Sequence, residues 1–311
     1  MAFIRDIEYF LPDLILTNKD LKKEKPEWNL DELAKHTGVY QRHIAKKEES
    51  SLDLGFEAVK KLLDQYPQLS HQVDALIFCT QTPLQFMPSN SCLLHEKLNL
   101  SQNVACFDIN HACSGFIYSL WLANALIASG QSHEIFIVTA DTYSKIINPN
   151  DRATRSLFGD GAAVTWVSSK GGFLKIENIV VKTSGKDHRS FILPEPTSYI
   201  QMDGVGVLSF VNHVVAPDLI QFISHLKIKK EEVDFYLFHQ ASLLALNTLV
   251  TKLELNPKLV PNNLEDKGNL VSASIPILLK DMSSQIKSGN KIVMSGFGVG
   301  MSWGHVFLVG T

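Results

Sequence analysis

Val73-Asp-Ala-Leu-Ile-Phe-Cys79 returns 160 residues later as Val233-Asp-Phe-Tyr-Leu-Phe-His239. Both are apolar runs of strand length, each preceded by a helix pattern and a polar segment, so each reads as a buried strand entered from a helix. A second pair keeps the register. Ile127-Ala-Ser-Gly130 and Ile286-Lys-Ser-Gly289 lie 159 residues apart, each followed by another buried run. Two matches at nearly one offset predict a duplicated unit, and strands alternating with helices predict α/β architecture for each copy. Gly171-Gly172 is the expected break, giving halves 1–171 and 172–311.

Working outward, Asn103-Val-Ala-Cys-Phe-Asp-Ile-Asn-His-Ala-Cys-Ser-Gly-Phe-Ile-Tyr118 reads as strand, elbow and helix, with the helix running to Ala128. Cys113 sits at the elbow. Unpaired N–H groups and the positive end of the helix dipole favour a thiolate there, and Ala112, Ser114 and Gly115 leave its approach uncrowded. The competing reading is a buried cysteine acting as a small hydrophobe. The offset between the halves places Ser272 opposite Cys113. It also brings His239 and Asn269 towards the sulfur, although they lie 126 and 156 residues away in the chain.

His239 ends an apolar strand. From there its Nε2–H can donate to a thioester oxygen or, when neutral, the ring can take the proton of the thiol. Asn269 follows Gly268 and reads either as an amide donor or as a turn residue. The closing stretch, Ile292 to Gly304, is a strand breaking into a glycine-rich turn. It lacks the third glycine of a dinucleotide fingerprint, where Met301 stands. A turn exposing backbone N–H groups suits an oxyanion hole instead.

Composition narrows the classes. At 311 residues, with 45% apolar and 20% charged residues, the chain has the make-up of a globular enzyme. A net charge of −3 argues against nucleic acid as the main partner. The N-terminus has no signal-like pattern, and no uninterrupted apolar stretch of membrane-spanning length stands out, so a cytoplasmic protein is expected. Cys79, Cys92, Cys106 and Cys113 form no C-x-x-C pair, which points to neither zinc nor a disulfide framework. Local patterns predict a strand at residues 2–7, a helix over 51–66 capped by Ser51 and Asp53, and a site-lining loop from Thr80 to Asn90 carrying Phe86, Met87 and Pro88.

Five separate motifs, in order, carry a family resemblance. Ala112-Cys-Ser-Gly-Phe116, Asp151-Arg152 with Phe158-Gly-Asp-Gly-Ala162, His239-Gln-Ala241, Gly268-Asn269 with Ala273-Ser-Ile-Pro276, and Gly296-Phe-Gly298 with Trp303-Gly304 resemble β-ketoacyl-acyl carrier protein synthase III. The resemblance covers nearly the whole chain. It implies a duplicated thiolase-like fold in five α-β-α-β-α layers, a triad of Cys113, His239 and Asn269, and no metal or redox cofactor. It further implies acyl-coenzyme A as substrate, acyl carrier protein as partner and a homodimer. In the implied mechanism Cys113 takes the acyl group, held by its own N–H and one from Gly298, Val299 or Gly300. His239 and Asn269 then stabilise the enolate left when malonyl-acyl carrier protein loses carbon dioxide. Phe297 matches an aromatic residue shaping that decarboxylation site, and it reads equally well as core packing.

The chain departs from the family pattern at several positions. Trp28, His36, Arg152 and Ser242 stand at or near coenzyme A-binding positions, with His36 where the family has arginine and Ser242 where it has asparagine. Leu244 replaces a basic residue that receives the carrier protein. Met87, next to Phe86, stands where an aromatic residue reaches from the dimer partner into the acyl pocket, and it reads also as generic packing. These departures suggest a pathway-specific relative. A cysteine protease is opposed by the missing Cys-Gly-x-Cys context, a degradative thiolase by the lack of a second cysteine near the C-terminus, and a hydroxymethylglutaryl-coenzyme A synthase by Thr80-Gln-Thr-Pro83 where a glutamate is needed. Transfer of the acyl group to an alcohol or amine, and an inactive partner subunit, stay open.

Overall fold

The computed structural model describes all residues from Met1 to Thr311. Its main sheet contains β1 (Phe3–Phe10), β2 (Ala75–Cys79), β3 (Ala105–Ile109), β4 (Glu134–Asp141), β5 (Gly161–Ser168), β6 (Leu174–Thr183), β7 (Phe235–Phe238), β8 (Lys291–Gly298) and β9 (Ser302–Gly310). The helices that position the site are α1 (Ser51–Gln65), α2 (Asn90–Lys97), α3 (Gly115–Ala128), α4 (Gly204–His225), α5 (Leu243–Leu253) and α6 (Ser274–Met282).

The strand order is β7-β8-β9-β6-β1-β5-β4-β2-β3, and it carries the duplication. In the first half β2 runs parallel to β4, β4 antiparallel to β5, and β5 antiparallel to β1. In the second half β7, β8, β9 and β6 repeat those relations in the same order. The second half lacks a counterpart of β3, so β7 is an edge where β2 is not. The half-sheets meet through two residue pairs, Phe3 with Lys175 and Ile4 with Leu174. Gly171-Gly172 lies in the β5–β6 connection. A Cβ on Gly172 would lie 2.2 Å from the Ile4 carbonyl oxygen, so the close approach of β1 requires glycine there.

Alternation along the strands builds the layers. Ala75 and Ile77 of β2 face inward, joining Phe116 and Leu120 of α3 and Ile275 and Leu279 of α6 with Met294 and Val306 of the second half. Leu76 and Phe78 face outward against Leu54, Ala58, Val59 and Leu62 of α1. In the second half Tyr236 and Phe238 face Leu219 and Phe222 of α4 and Leu246 and Leu249 of α5. Two half-sheets of this one sheet, with helices outside and between them, give the five-layer thiolase-like order, and strands covered on both faces read as continuous apolar runs.

One sequence expectation is corrected here. The cap of α1 is Ser50, whose hydroxyl accepts from Asp53 N–H while the Asp53 carboxylate accepts from Ser50 N–H. Ser51 is the first helical residue and donates instead to the Thr82 carbonyl at 2.6 Å. The helical run α4 is, by length and composition, apolar enough to cross a membrane. It escapes a scan for uninterrupted apolar residues because Asn212, His213, Pro217 and Asp218 interrupt it, and it buries Phe210, Val211, Val215 and Leu219 in the core of the second half.

Candidate active site

β3 delivers the chain to the elbow and α3 begins at Gly115, with Cys113 between them and buried. The elbow docks on the end of β8 and on the turn into β9. Ser114 Oγ lies 2.7 Å from Ser302 Oγ, which donates to the Val299 carbonyl. A Cβ on Gly298 would lie 2.7 Å from Cys113 Cβ and 3.2 Å from its Sγ, and one on Gly296 would lie 3.0 Å from the Cys113 carbonyl oxygen. The glycines therefore let the strand pass directly beside the thiol.

Phe297, between those glycines, points to the other face of β8, where its ring meets the His239 ring edge-on at 5.7 Å. The same strand holds the histidine backbone, since His239 N–H donates to the Ser295 carbonyl at 2.9 Å. Asn269 sits behind Gly268, whose φ of +70° is a left-handed conformation. Its backbone is fixed by bonds to Leu157 and Gly159, its Oδ1 accepts from Val271 N–H, and its Nδ2 reaches the Ala241 carbonyl at 3.4 Å. The end of β8 is thus the wall against which Cys113 and His239 both pack, and Asn269 joins them through the residues after His239.

His239 is fully buried, and neither ring nitrogen has a hydrogen-bond partner. Burial pushes its pKa down to about 3, so the ring is neutral at physiological pH. A buried neutral imidazole with both nitrogens unpaired is a donor and an acceptor held for a ligand. The backbone N–H groups of Cys113, Val299 and Gly300 also donate to no protein oxygen, which leaves two sides of an oxyanion site open.

The thiol departs from expectation. Burial first, and the nearby Asp141 carboxylate second, push Cys113 well above the ordinary thiol range, with only its own N–H acting the other way. The position near the start of α3 does not offset this desolvation. Asp141, at the end of β4, is a residue that sequence reasoning missed. Its Oδ1 accepts from Thr80 Oγ1, Gln81 N–H and Thr82 Oγ1, and its Oδ2 accepts from Ser272 Oγ at 2.7 Å. It staples the loop after β2 to the second half's elbow, where Ser272 answers Cys113. Burial raises its pKa to about 6.

Near the elbow, but not lined by Cys113, His239 or Asn269 themselves, lies a cavity of about 690 Å³. Val299 and Tyr143, whose ring packs in the same apolar cluster as Cys113, connect it to the elbow. Phe86 lines it. Met87, the other predicted acyl-pocket residue, does not, and stands exposed at the loop tip.

The nucleotide candidates stand on neighbouring segments: the helix carrying His36 packs against α5, and Lys25 and Glu24 bond Asn150 and Arg155 on either side of Arg152. Trp28, expected at or near a coenzyme A-binding position, packs inward against Leu21 and Leu30, its ring nearly buried, because the short helices at Asn18–Glu24 and Leu30–Thr37 close a small core of their own around it. His36 is exposed, 3.7 Å from Glu32. Arg152 is exposed at the first position of a four-residue helical turn and has no hydrogen-bond or ion-pair partner. Ser242 is the N-cap of α5, accepting from Ala245 N–H. Arg42 was also missed. Fully buried, it donates to Leu16 and Ser156 carbonyls and to Asn18 Oδ1, tying the N-terminal hairpin to the segment that carries Phe158. Its signal, an arginine inside an extended run, is indistinguishable in sequence from a solvated one.

Residues 107–185 match the family described as 3-Oxoacyl-[acyl-carrier-protein (ACP)] synthase III, and residues 223–309 match its C-terminal part. The chain is 34% identical to the Beta-ketoacyl-[acyl-carrier-protein] synthase III of Clostridium perfringens strain ATCC 13124, over 96% of each chain. The chain belongs to the 3-oxoacyl-[acyl-carrier-protein] synthase III family. It is 33% identical to the synthase III of Campylobacter jejuni strain RM1221, over 99% of this chain and 97% of that one. The crystal structure of the Aquifex aeolicus VF5 synthase III superposes with a TM-score of 0.93 at 30% identity, covering 99% of this chain and 100% of that one. As a synthase III family member the chain is an acyltransferase of the thiolase-like fold.

Proposed function

We propose that this synthase III-type enzyme moves an acyl group from coenzyme A to Cys113 and condenses it with a malonyl group on acyl carrier protein, and that Cys113, His239 and Asn269 carry the chemistry. The observation that carries the reading is His239, buried, neutral and unpaired at both nitrogens, packed against the end of β8, the strand that also abuts the Cys113 sulfur.

In the first stage the Cys113 sulfur attacks the thioester carbonyl. The oxyanion is received by the Cys113 N–H and by Val299 or Gly300. Because the thiol holds its proton in the resting site, that proton leaves as the S–C bond forms, and His239 carries it to the departing coenzyme A sulfur. In the second stage the bond from the malonyl methylene carbon to its carboxylate breaks and carbon dioxide leaves. The electron pair passes through an enolate whose oxygen takes hydrogen bonds from His239 Nε2–H and Asn269 Nδ2–H, the latter turning from its long contact with Ala241. The carbon then attacks the acyl carbonyl, and Cys113 leaves as thiolate to be reprotonated from solvent. Phe297 orients the His239 ring by its edge contact. Arg152 and His36 face the nucleotide phosphates, and the Ser242 hydroxyl, still a donor while capping α5, faces the pantetheine. Exposed Leu244 removes one cationic contact from carrier-protein docking. The site operates in the cytoplasm and without a metal or redox cofactor.

Intact mass after incubation with acyl-coenzyme A tests this. Wild type gains one acyl group and Cys113→Ala gains none. Adding malonyl-acyl carrier protein discharges the adduct as a β-ketoacyl product. His239→Ala and Asn269→Ala keep measurable self-acylation while condensation falls by about 100-fold or more. Discharge only to an added alcohol or amine would replace condensation by simple acyl transfer.

A further inference from the structure

We propose that the cavity joined to the Cys113 elbow by Val299 and Tyr143 receives an acyl group bearing a neutral hydrogen-bond acceptor, a hydroxyacyl or oxoacyl chain, and that Gln81 selects it. This rests on the reading of Cys113 as the acylated thiol.

Gln81 is held at both ends. Its backbone N–H donates to Asp141 Oδ1 at 2.8 Å, and its side-chain oxygen accepts from the Tyr143 hydroxyl at 2.7 Å. Tyr143 cannot swing, because its buried ring sits 5.2 Å from the Phe158 ring and 6.5 Å from the Phe191 ring. The oxygen is turned to Tyr143, and the Gln81 NH₂ group, which bonds to no atom of the protein, is left as the amide's free donor. Gln81 is half-buried in the cavity wall, and Tyr143, which lines the cavity beside it, packs in the same apolar cluster as Cys113. The donor therefore lies close to the thioester end of a bound chain.

The remaining walls narrow the ligand. Phe191, Leu193, Ile200 and Ile146 make one side apolar. No lysine, arginine or histidine lines the cavity, so a chain ending in a carboxylate has no counter-charge. The lining carboxylate, Asp108, is already committed to the Asn90 and Ser91 N–H groups at 2.8 Å each. The Thr80 and Thr82 hydroxyls are spent on Asp141. A plain alkyl chain offers the Gln81 donor no partner. A hydroxyl or keto oxygen satisfies it, and sites built to hydrogen-bond a substrate discriminate strongly against analogues that lack the group.

The test compares rates of Cys113 acylation, read by intact mass, for butyryl- against 3-hydroxybutyryl-coenzyme A and for hexanoyl- against 3-hydroxyhexanoyl- and 3-oxohexanoyl-coenzyme A. Wild type should favour the oxygenated member of a pair by at least about tenfold in kcat/KM. Gln81→Leu should abolish that preference by slowing the oxygenated donor while the alkyl donor keeps its rate or gains. Tyr143→Phe, which frees the amide to rotate, should weaken the preference partway. Equal or better use of the plain chains by wild type, or an unchanged ratio in Gln81→Leu, overturns the proposal while leaving Cys113 acylation standing. Should Gln81→Leu fail to fold, the wild-type ratios decide alone. No labelling by any thioester overturns the reading of Cys113 and this selectivity with it.

Discussion

A thiol buried beside a carboxylate keeps its proton, and Cys113 faces both penalties at once. For a group whose pKa is raised, the reactive thiolate fraction grows about tenfold per pH unit until the raised value is reached. Alkylation of Cys113 by iodoacetamide should therefore keep accelerating past pH 9 with no plateau, and Asp141→Asn should move the profile to lower pH by removing the neighbouring negative charge. A plateau below pH 8 would instead show a thiolate already stabilised by α3. The three candidate catalytic residues were visible in the sequence because each stands where a pattern breaks: Cys113 at an elbow, His239 at the end of an apolar run, Asn269 after a glycine. Their electrostatics were not visible. Asp141 lies 28 residues from Cys113 in the chain, and only the parallel pairing of β2 with β4 brings the end of β4 beside the loop it staples. The burial of Trp28 was hidden for a related reason, since an aromatic residue in a polar stretch reads as exposed until neighbouring leucines are seen to close over it.

At the scale of elements, the end of β8 separates two side chains by alternation: Gly296 and Gly298 face the elbow and Phe297 faces His239. A methyl group on Gly298 has no room, at 2.7 Å from Cys113 Cβ. Gly298→Ala should displace the sulfur by a fraction of an ångström or more and slow acyl-enzyme formation by about 100-fold, measured as the rate of adduct growth. Gly185→Ala, at a position with nothing within 4 Å, should leave that rate unchanged; equal rates in both variants would show that the close passage of β8 does not position the thiol. The duplication was legible because both copies keep the same apolar runs at one spacing. The missing counterpart of β3 was not, because the corresponding stretch of the second half, Leu264–Lys267, is a helical turn whose short polar pattern carries no period long enough to separate helix from strand.

At the scale of the whole molecule, the first half ends in an unpaired edge, and β3 presents Ala105 exposed with Cys106, Phe107, Asp108 and Ile109 half-buried. Behind it, α3 is apolar almost all round, with Trp121 exposed and Leu122 and Leu126 half-buried. The adjoining loop exposes Leu84, Phe86 and Met87. A bare strand edge flanked by apolar side chains calls for a partner strand, and a second copy brought up to β3 would present the same loop, so that the partner's Met87 can close the mouth of the cavity. We propose a homodimer through this face. Sedimentation at micromolar concentration should give twice the chain mass. Trp121→Glu should weaken association by about 30-fold or more, as loss of a central aromatic anchor does, and slow acylation at concentrations where the variant is monomeric. Raising the concentration of that variant until it dimerises should restore the rate, which separates a site completed by the partner from a fold merely damaged by the substitution. A wild-type monomer with full activity at nanomolar concentration would show that one chain closes its own cavity.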